Sequence, residues 1–103
     1  MTGSVPDALV RLRLDYRSAL VGFLSRRAES QLNSAYEIGR AAIAARVGLL
    51  ELVQVHNSVT LDLLRAAGDT GCVEVAEAAG AFLVEVLAAA EMAHRGFLEG
   101  TQG

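Results

Sequence analysis

The stretch from Thr70 to Glu99 reads TGCVEVAEAAGAFLVEVLAAAEMAHRGFLE. At a helical period of about 100° per residue it carries two apolar stripes, not one. Cys72, Val75, Ala76, Ala79, Leu83, Val86, Leu87, Ala90 and Phe97 share a broad face. Ala81, Val84, Ala88 and Met92 form a narrower stripe on the nearly opposite side, flanked by Glu77, Glu85, Glu91 and Arg95. One apolar face is enough to close a core. The second needs another neighbour, because water solvates such a stripe poorly. The stretch therefore predicts a helix over 71–99 that packs inside a domain and also binds another protein.

Working back from it, Gly68-Asp69-Thr70-Gly71 reads as a loop. Gly68 suits the left-handed cap conformation, and Asp69 or Thr70 can cap the last helix. The helix before it spans about 49–67. Leu49, Leu52, Val53, His56, Thr60, Leu63, Leu64 and Ala67 share one face, and Glu51, Gln54, Ser58, Asp62 and Arg65 the other. Gly48 is the expected C-terminal cap of a second helix over about 28–47. That helix sets Leu32, Ala35, Tyr36, Gly39, Ile43 and Val47 on one side and Asn33, Ser34, Glu37, Arg40 and Arg46 mostly in solvent. A charged break, Ser25-Arg26-Arg27, separates it from a first helix over about 5–24. Ser4 is the expected cap of that helix, with Asp7 in capping-box position and Pro6 tolerated in the first turn. Its core face holds Val5, Leu9, Leu12, Tyr16, Ala19, Leu20 and Phe23. Val10, Leu14 and Val21 make a shorter stripe on the far side, with Arg17 inside it. The tail from Gly100 to Gly103 reads as frayed or as a linker. Four helices with short connections predict an all-α, four-helix bundle-like domain over residues 1–103, with neighbours mainly antiparallel.

The totals agree with one small helical domain. The chain has 103 residues, 52% of them hydrophobic, with a single Pro and a formal charge of −3, which excludes global disorder. Arg11, Arg13 and Arg17 are the densest basic group, and Asp7 and Asp15 dilute it, so no basic footprint marks a nucleic-acid partner. The lone Cys72 cannot close an internal disulfide and fits a reducing compartment. No apolar run is long enough to span a membrane, and the N-terminus has no signal-peptide pattern. A cytoplasmic location is expected.

Three residue groups carry possible chemistry. Glu91-Met92-Ala93-His94 is an E-x-x-H, the spacing that sets a carboxylate beside an imidazole in di-iron bundles. Such a site needs a second copy of the motif and two further inward glutamates, whereas Glu37 and Glu51 fall on polar faces. A structural or interface histidine is the better reading of His94, and metal binding by Glu91 and His94 is the alternative. His56 sits among valines on the apolar face of helix three. It reads as a core histidine bonded to a neighbouring helix, the alternative being a histidine phosphotransfer module. Cys72 begins a helix, where the dipole can lower a thiol pKa, but no His or second Cys lies near it in sequence, so a packing role is expected. Tyr16 and Tyr36 are expected to lodge their rings inside with the hydroxyls near the rim. No phosphate loop, catalytic triad or acidic metal cluster is present, so neither an enzyme nor a cofactor is expected.

The order of residues adds to their period. The run from Tyr16 to Thr60 resembles the N-terminal domain of RsbU-type phosphatases, and so does FLVEVLAAAEMAHRGF from Phe82 to Phe97. The resemblance rests on Tyr16, on the R-x-x-I element of Arg40 and Ile43, on LLELVQVH ending at His56, and on the EMAHRGF ending. It implies a four-helix regulatory domain, shared in fold with the C-terminal domain of the clock protein KaiA, that forms homodimers. It further implies binding of an RsbT-type switch kinase, which turns on a serine phosphatase that acts on an anti-anti-sigma factor. Carried over by position, the partner-binding surface falls on Asn33, Val84, Glu85 and Ala88, with Met92 continuing the stripe. The stripe of Val10, Leu14 and Val21 is the expected dimer seam. The chain carries no phosphatase domain, so it reads as a fragment or a stand-alone adaptor.

Overall fold

The computed structural model describes the backbone of residues 5–102 and the side chains of residues 7–96. Every element among the described residues is helical: α1 (Val5–Arg26), a short 3-10 turn (Glu29–Gln31), α2 (Leu32–Ala44) and α3 (Leu49–Gln102). The expected cap at Ser4 and the core placement of Val5 and Phe97 lie outside the described residues.

α3 is two arms, 49–67 and 69–102, joined at Gly68, whose φ of 68° and ψ of −163° are not helical. Only glycine adopts that backbone readily, since a Cβ would clash there. His56 and Phe82 stand 26 positions apart on either side of it, so a straight helix would separate them by roughly 39 Å. Instead both rings touch Tyr16, at centroid distances of 5.7 and 5.2 Å. The chain therefore folds back at Gly68. The expected four-residue loop is a one-residue break, with Asp69, Thr70 and Gly71 already helical.

α1 lies against both arms. It buries Leu12, Tyr16, Leu20 and Phe23, which meet Leu52, Val59 and Leu63 of arm one and Val75, Phe82 and Val86 of arm two in one core. α2 adds Ala35, Ile38 and Ala42 and approaches arm two closely at Gly39. A Cβ on Gly39 would overlap the Val86 carbonyl oxygen and sit 3.0 Å from both the Ala89 Cβ and the Ala90 nitrogen. Small residues on both helices permit that approach.

Helix two is shorter than expected, because its C-terminal cap falls at Arg46. Arg46 has φ 64°. Its N–H donates to the Ile43 carbonyl at 3.0 Å, and that of Val47 to the Ala42 carbonyl at 2.9 Å. This is a Schellman closure, completed by burial of Val47 beside Ala42. Gly48 instead caps the start of arm one. Its carbonyl accepts the Leu52 N–H at 3.0 Å, and its own N–H donates to Glu51 Oε1 at 2.7 Å, the return half of a capping box. α1 also outruns its expected end, reaching Arg26, where Arg27 (φ 55°) turns the chain. The tail expected to be frayed is helical through Gln102.

Arm two is rotated by about 60° from its expected orientation, at 100° per residue. Ala78, Phe82 and Ala89 are buried, while Ala76 is exposed and Leu83 only half-buried. Volume decides this: the Phe82 ring packs on Tyr16 and, at 6.2 Å, on Phe23. In arm one, Val59 is buried and Leu49 exposed, against the expectation for Leu49.

Candidate partner-binding surface

The inner face of arm two is committed to the core, and this fixes what its outer face presents. Phe82, Val86 and Ala90 are buried. Residues two positions away point the opposite way on a helix. Val84 is 64% exposed and Met92 53% exposed, and Ala81 and Ala88 are exposed with them. Glu85 is half-buried at the stripe's edge. Val73 is also exposed and extends the same line. It lies 11 residues, or three turns, before Val84, a spacing that would have revealed it.

Asn33 is exposed on α2 but faces a different part of the molecule. It lines a groove between α1 and α2 together with Asp15, Ser18, Gln31, Ser34 and Glu37. No described residue of arm two lines that groove. The five residues assigned to the partner surface thus divide into a continuous stripe on arm two and a separate position in the α1–α2 groove.

The stripe on α1 is equally open. Val10 is 61% and Leu14 63% exposed, with Val21 less so. Beside it, Arg13 forms an ion pair with Asp62 of arm one at 2.9 Å and a hydrogen bond to Ser58. Arg65 approaches the same Asp62 at 3.7 Å. These contacts tie α1 to arm one at the solvent boundary, where each ion pair contributes under about 1 kcal/mol.

His56 and Tyr16 form the buried polar pair of the core. Tyr16 Oη lies 2.6 Å from His56 Nδ1, and His56 Nε2 lies 3.5 Å from Thr60 Oγ1. Burial raises the Tyr16 phenol and lowers the His56 imidazole from their ordinary pKa values, so both stay neutral at pH 7. The phenol and Nδ1 share one hydrogen bond and Nε2 faces the Thr60 hydroxyl, with donor and acceptor set by the tautomer of the ring. With the ring buried and both nitrogens engaged within the fold, the structure gives the phosphotransfer alternative no accessible nucleophile. It also corrects the place of the Tyr16 hydroxyl, which lies inside and not near the rim. Tyr36 is half-buried, with Arg40 over its ring at 5.9 Å.

Glu91 and His94 lie on the outer side of arm two, away from the core. Both are exposed, and Glu91 is paired with Arg95 at 2.8 Å. Among the described residues no third His, Cys, Asp or Glu joins them in a metal-binding group. The expected placement of His94 near the core face is corrected by the same rotation of arm two. Cys72 is half-buried, with its thiol 3.5 Å from the Asp69 carbonyl, consistent with a packing role. No described helix is long and apolar enough to cross a membrane.

Comparison with protein-family models gives a match. The family model described as phosphoserine phosphatase RsbU, N-terminal domain, matches residues 14–93. That span contains Tyr16, Gly39, His56, Gly68, Phe82 and the outer stripe through Met92. No curated protein and no solved structure gives a significant match.

Proposed function

The chain belongs to the family of RsbU N-terminal domains, and on that premise we propose that it is a non-catalytic regulatory domain that binds an RsbT-like switch kinase. In this reading it works in a bacterial stress-response partner-switching pathway in the cytoplasm. It homodimerises through the α1 stripe of Val10, Leu14 and Val21. Kinase binding controls an attached or associated serine phosphatase that acts on an anti-anti-sigma factor. Val84, Glu85, Ala88 and Met92 provide the docking stripe, and Asn33 contributes from the α1–α2 groove.

The observation that carries this reading is the exposed apolar stripe on arm two, directly behind a buried face. A helix that presents small and medium apolar residues, edged by carboxylates, suits packing against a helix or groove of another protein. Among the described residues, the core is built without that face. The mechanism is a shift of populations. A partner that fits one arrangement of the domain favours it by its difference in affinity, and an attached output domain reads that arrangement.

The test is titration of a purified RsbT-type kinase against this chain by calorimetry, with Val84→Asp as the variant. Wild type should bind. Val84→Asp should lose binding with unchanged helical circular dichroism, because Val84 is outside the core. Undiminished binding by the variant would move the docking surface elsewhere, and no binding by wild type would overturn the reading.

A further inference from the structure

The groove between α1 and α2 holds about 640 Å³, within the range of small-ligand sites, roughly 300–1,000 Å³. Its floor is apolar, made by Ala19, Ile38 and Ala41, and its walls are polar. α1 supplies Asp15 and Ser18 to one wall, and α2 supplies Asn33, Ser34 and Glu37 to the other. Gln31 marks the end nearest the connection between the helices, where a Cβ on Gly22 would stand 3.3 Å from its Oε1. Antiparallel counting from that contact sets Ser18 near Ser34 and Asp15 near Glu37. The two carboxylates thus come from opposite walls at the same level.

No basic residue lines the groove. Among the described residues neither Asp15 nor Glu37 has an ion-pair partner. Arg40, one turn beyond Glu37 on α2, lies over the Tyr36 ring instead. The hydroxyls and amides of the lining are equally unengaged, with no hydrogen bond to another described residue. By contrast, Asp62 and Glu91 are neutralised by arginines and Glu51 caps arm one.

We infer that this groove binds a linear aliphatic polyamine. One ammonium group sits between Asp15 and Glu37 and is neutralised by both. The methylene chain lies on Ala19, Ile38 and Ala41. A second ammonium group, toward the Gln31 end, donates to the side-chain oxygens of Ser18, Ser34 and Asn33. From Gln31 to Ala41 the groove runs about 15 Å, which suits an extended triamine. An anionic ligand finds no cation in this lining, and an apolar one leaves both carboxylates desolvated and unpaired. The ligand bridges α1 and α2, so it stabilises the fold in proportion to its own concentration. The inference goes beyond kinase docking and does not depend on it.

Calorimetric titration of spermidine into the whole chain, at fixed ionic strength and with no kinase present, tests it. Wild type should bind one equivalent saturably, and its amide resonances should shift around Asp15 and Glu37. Asp15→Asn and Glu37→Gln should each weaken binding roughly fivefold, the loss of one exposed ion pair, and the variant carrying both should show no saturable binding. All three should keep wild-type circular dichroism, because both positions are exposed. Glu77→Gln, which removes an exposed carboxylate of arm two, should bind as wild type does. Absence of saturable binding by wild type, wild-type binding by the double variant, or an equal loss in Glu77→Gln would each overturn the inference. So would displacement of spermidine by an equal charge of magnesium chloride, the mark of a diffuse acidic surface. Tighter binding of an acetylated Lys-Ala-Ala-Lys amide than of spermidine would overturn it too, by making the groove a peptide site.

Discussion

Among the described residues, Tyr16→Phe isolates the one buried hydrogen bond between side chains of two helices. The variant keeps the ring, and with it the edge contacts to His56 and Phe82. Only the hydroxyl that shares a hydrogen bond with His56 Nδ1 at 2.6 Å is removed. His56 is buried, so its Nδ1 is left without a partner. A buried group stripped of its partner costs about 1–3 kcal/mol, more than the net worth of an ordinary hydrogen bond. An expected loss of about 2 kcal/mol lowers the urea midpoint by about 1 M for a small domain and the melting temperature by roughly 10 °C. Urea titration followed by far-ultraviolet circular dichroism measures it. Adding His56→Leu to Tyr16→Phe removes the stranded nitrogen, so the double variant should be destabilised by less than the sum of the two single changes. A Tyr16→Phe protein that unfolds at the wild-type midpoint would refute the placement of this pair in the core, and additive single and double effects would refute their coupling.

Further outcomes follow from the same structure. Gly39→Ala should cost about 1–3 kcal/mol or more through overpacking against the Val86 carbonyl, and Gly68→Ala about 1–3 kcal/mol through its positive φ; both are read by urea titration, and wild-type stability in either would contradict the packing described. Burial holds the folded His56 below the usual imidazole pKa, so the unfolded chain binds more protons once the pH drops below about 6.5. Stability should therefore be constant above that pH and fall as the solution is acidified through it. In His56→Leu this component of the pH dependence should vanish, and an unchanged profile would assign it to other groups. Leu14→Asp should weaken self-association measured by light scattering while preserving helix content, since Leu14 is 63% exposed; a mass equal to wild type at every concentration would remove the α1 stripe from any interface.

Much of the site was legible because exposure follows from period. Val84 and Met92, and likewise Val10 and Leu14, sit where a helix of 3.6 residues per turn must turn them away once the opposite face is buried. His56 was legible as a core residue for the same reason, since Leu52, Val59 and Leu63 lie on its face. The errors have a common cause. Counting apolar residues weights Ala76 and Leu83 like Phe82, but burial favours the larger ring, and the helix turned to seat it. The cap signals misled where two roles share a residue type. Gly48 suits the end of one helix or the start of the next, and burial of Val47 settled the choice.

The amino-acid sequence alone determined the helical class, the reversal near Gly68, the buried faces of α1 and arm one, and the existence of two outer stripes, because these depend on local period and on the special backbone of glycine. Only the tertiary structure decided the rotation of arm two, the Tyr16–His56 bond, the close approach at Gly39, and the separation of Asn33 from the Val84 stripe. Those features depend on how side chains of unequal volume fill one shared core. That is a property of pairs of residues 40 or more positions apart, and no periodicity within a single helix encodes it.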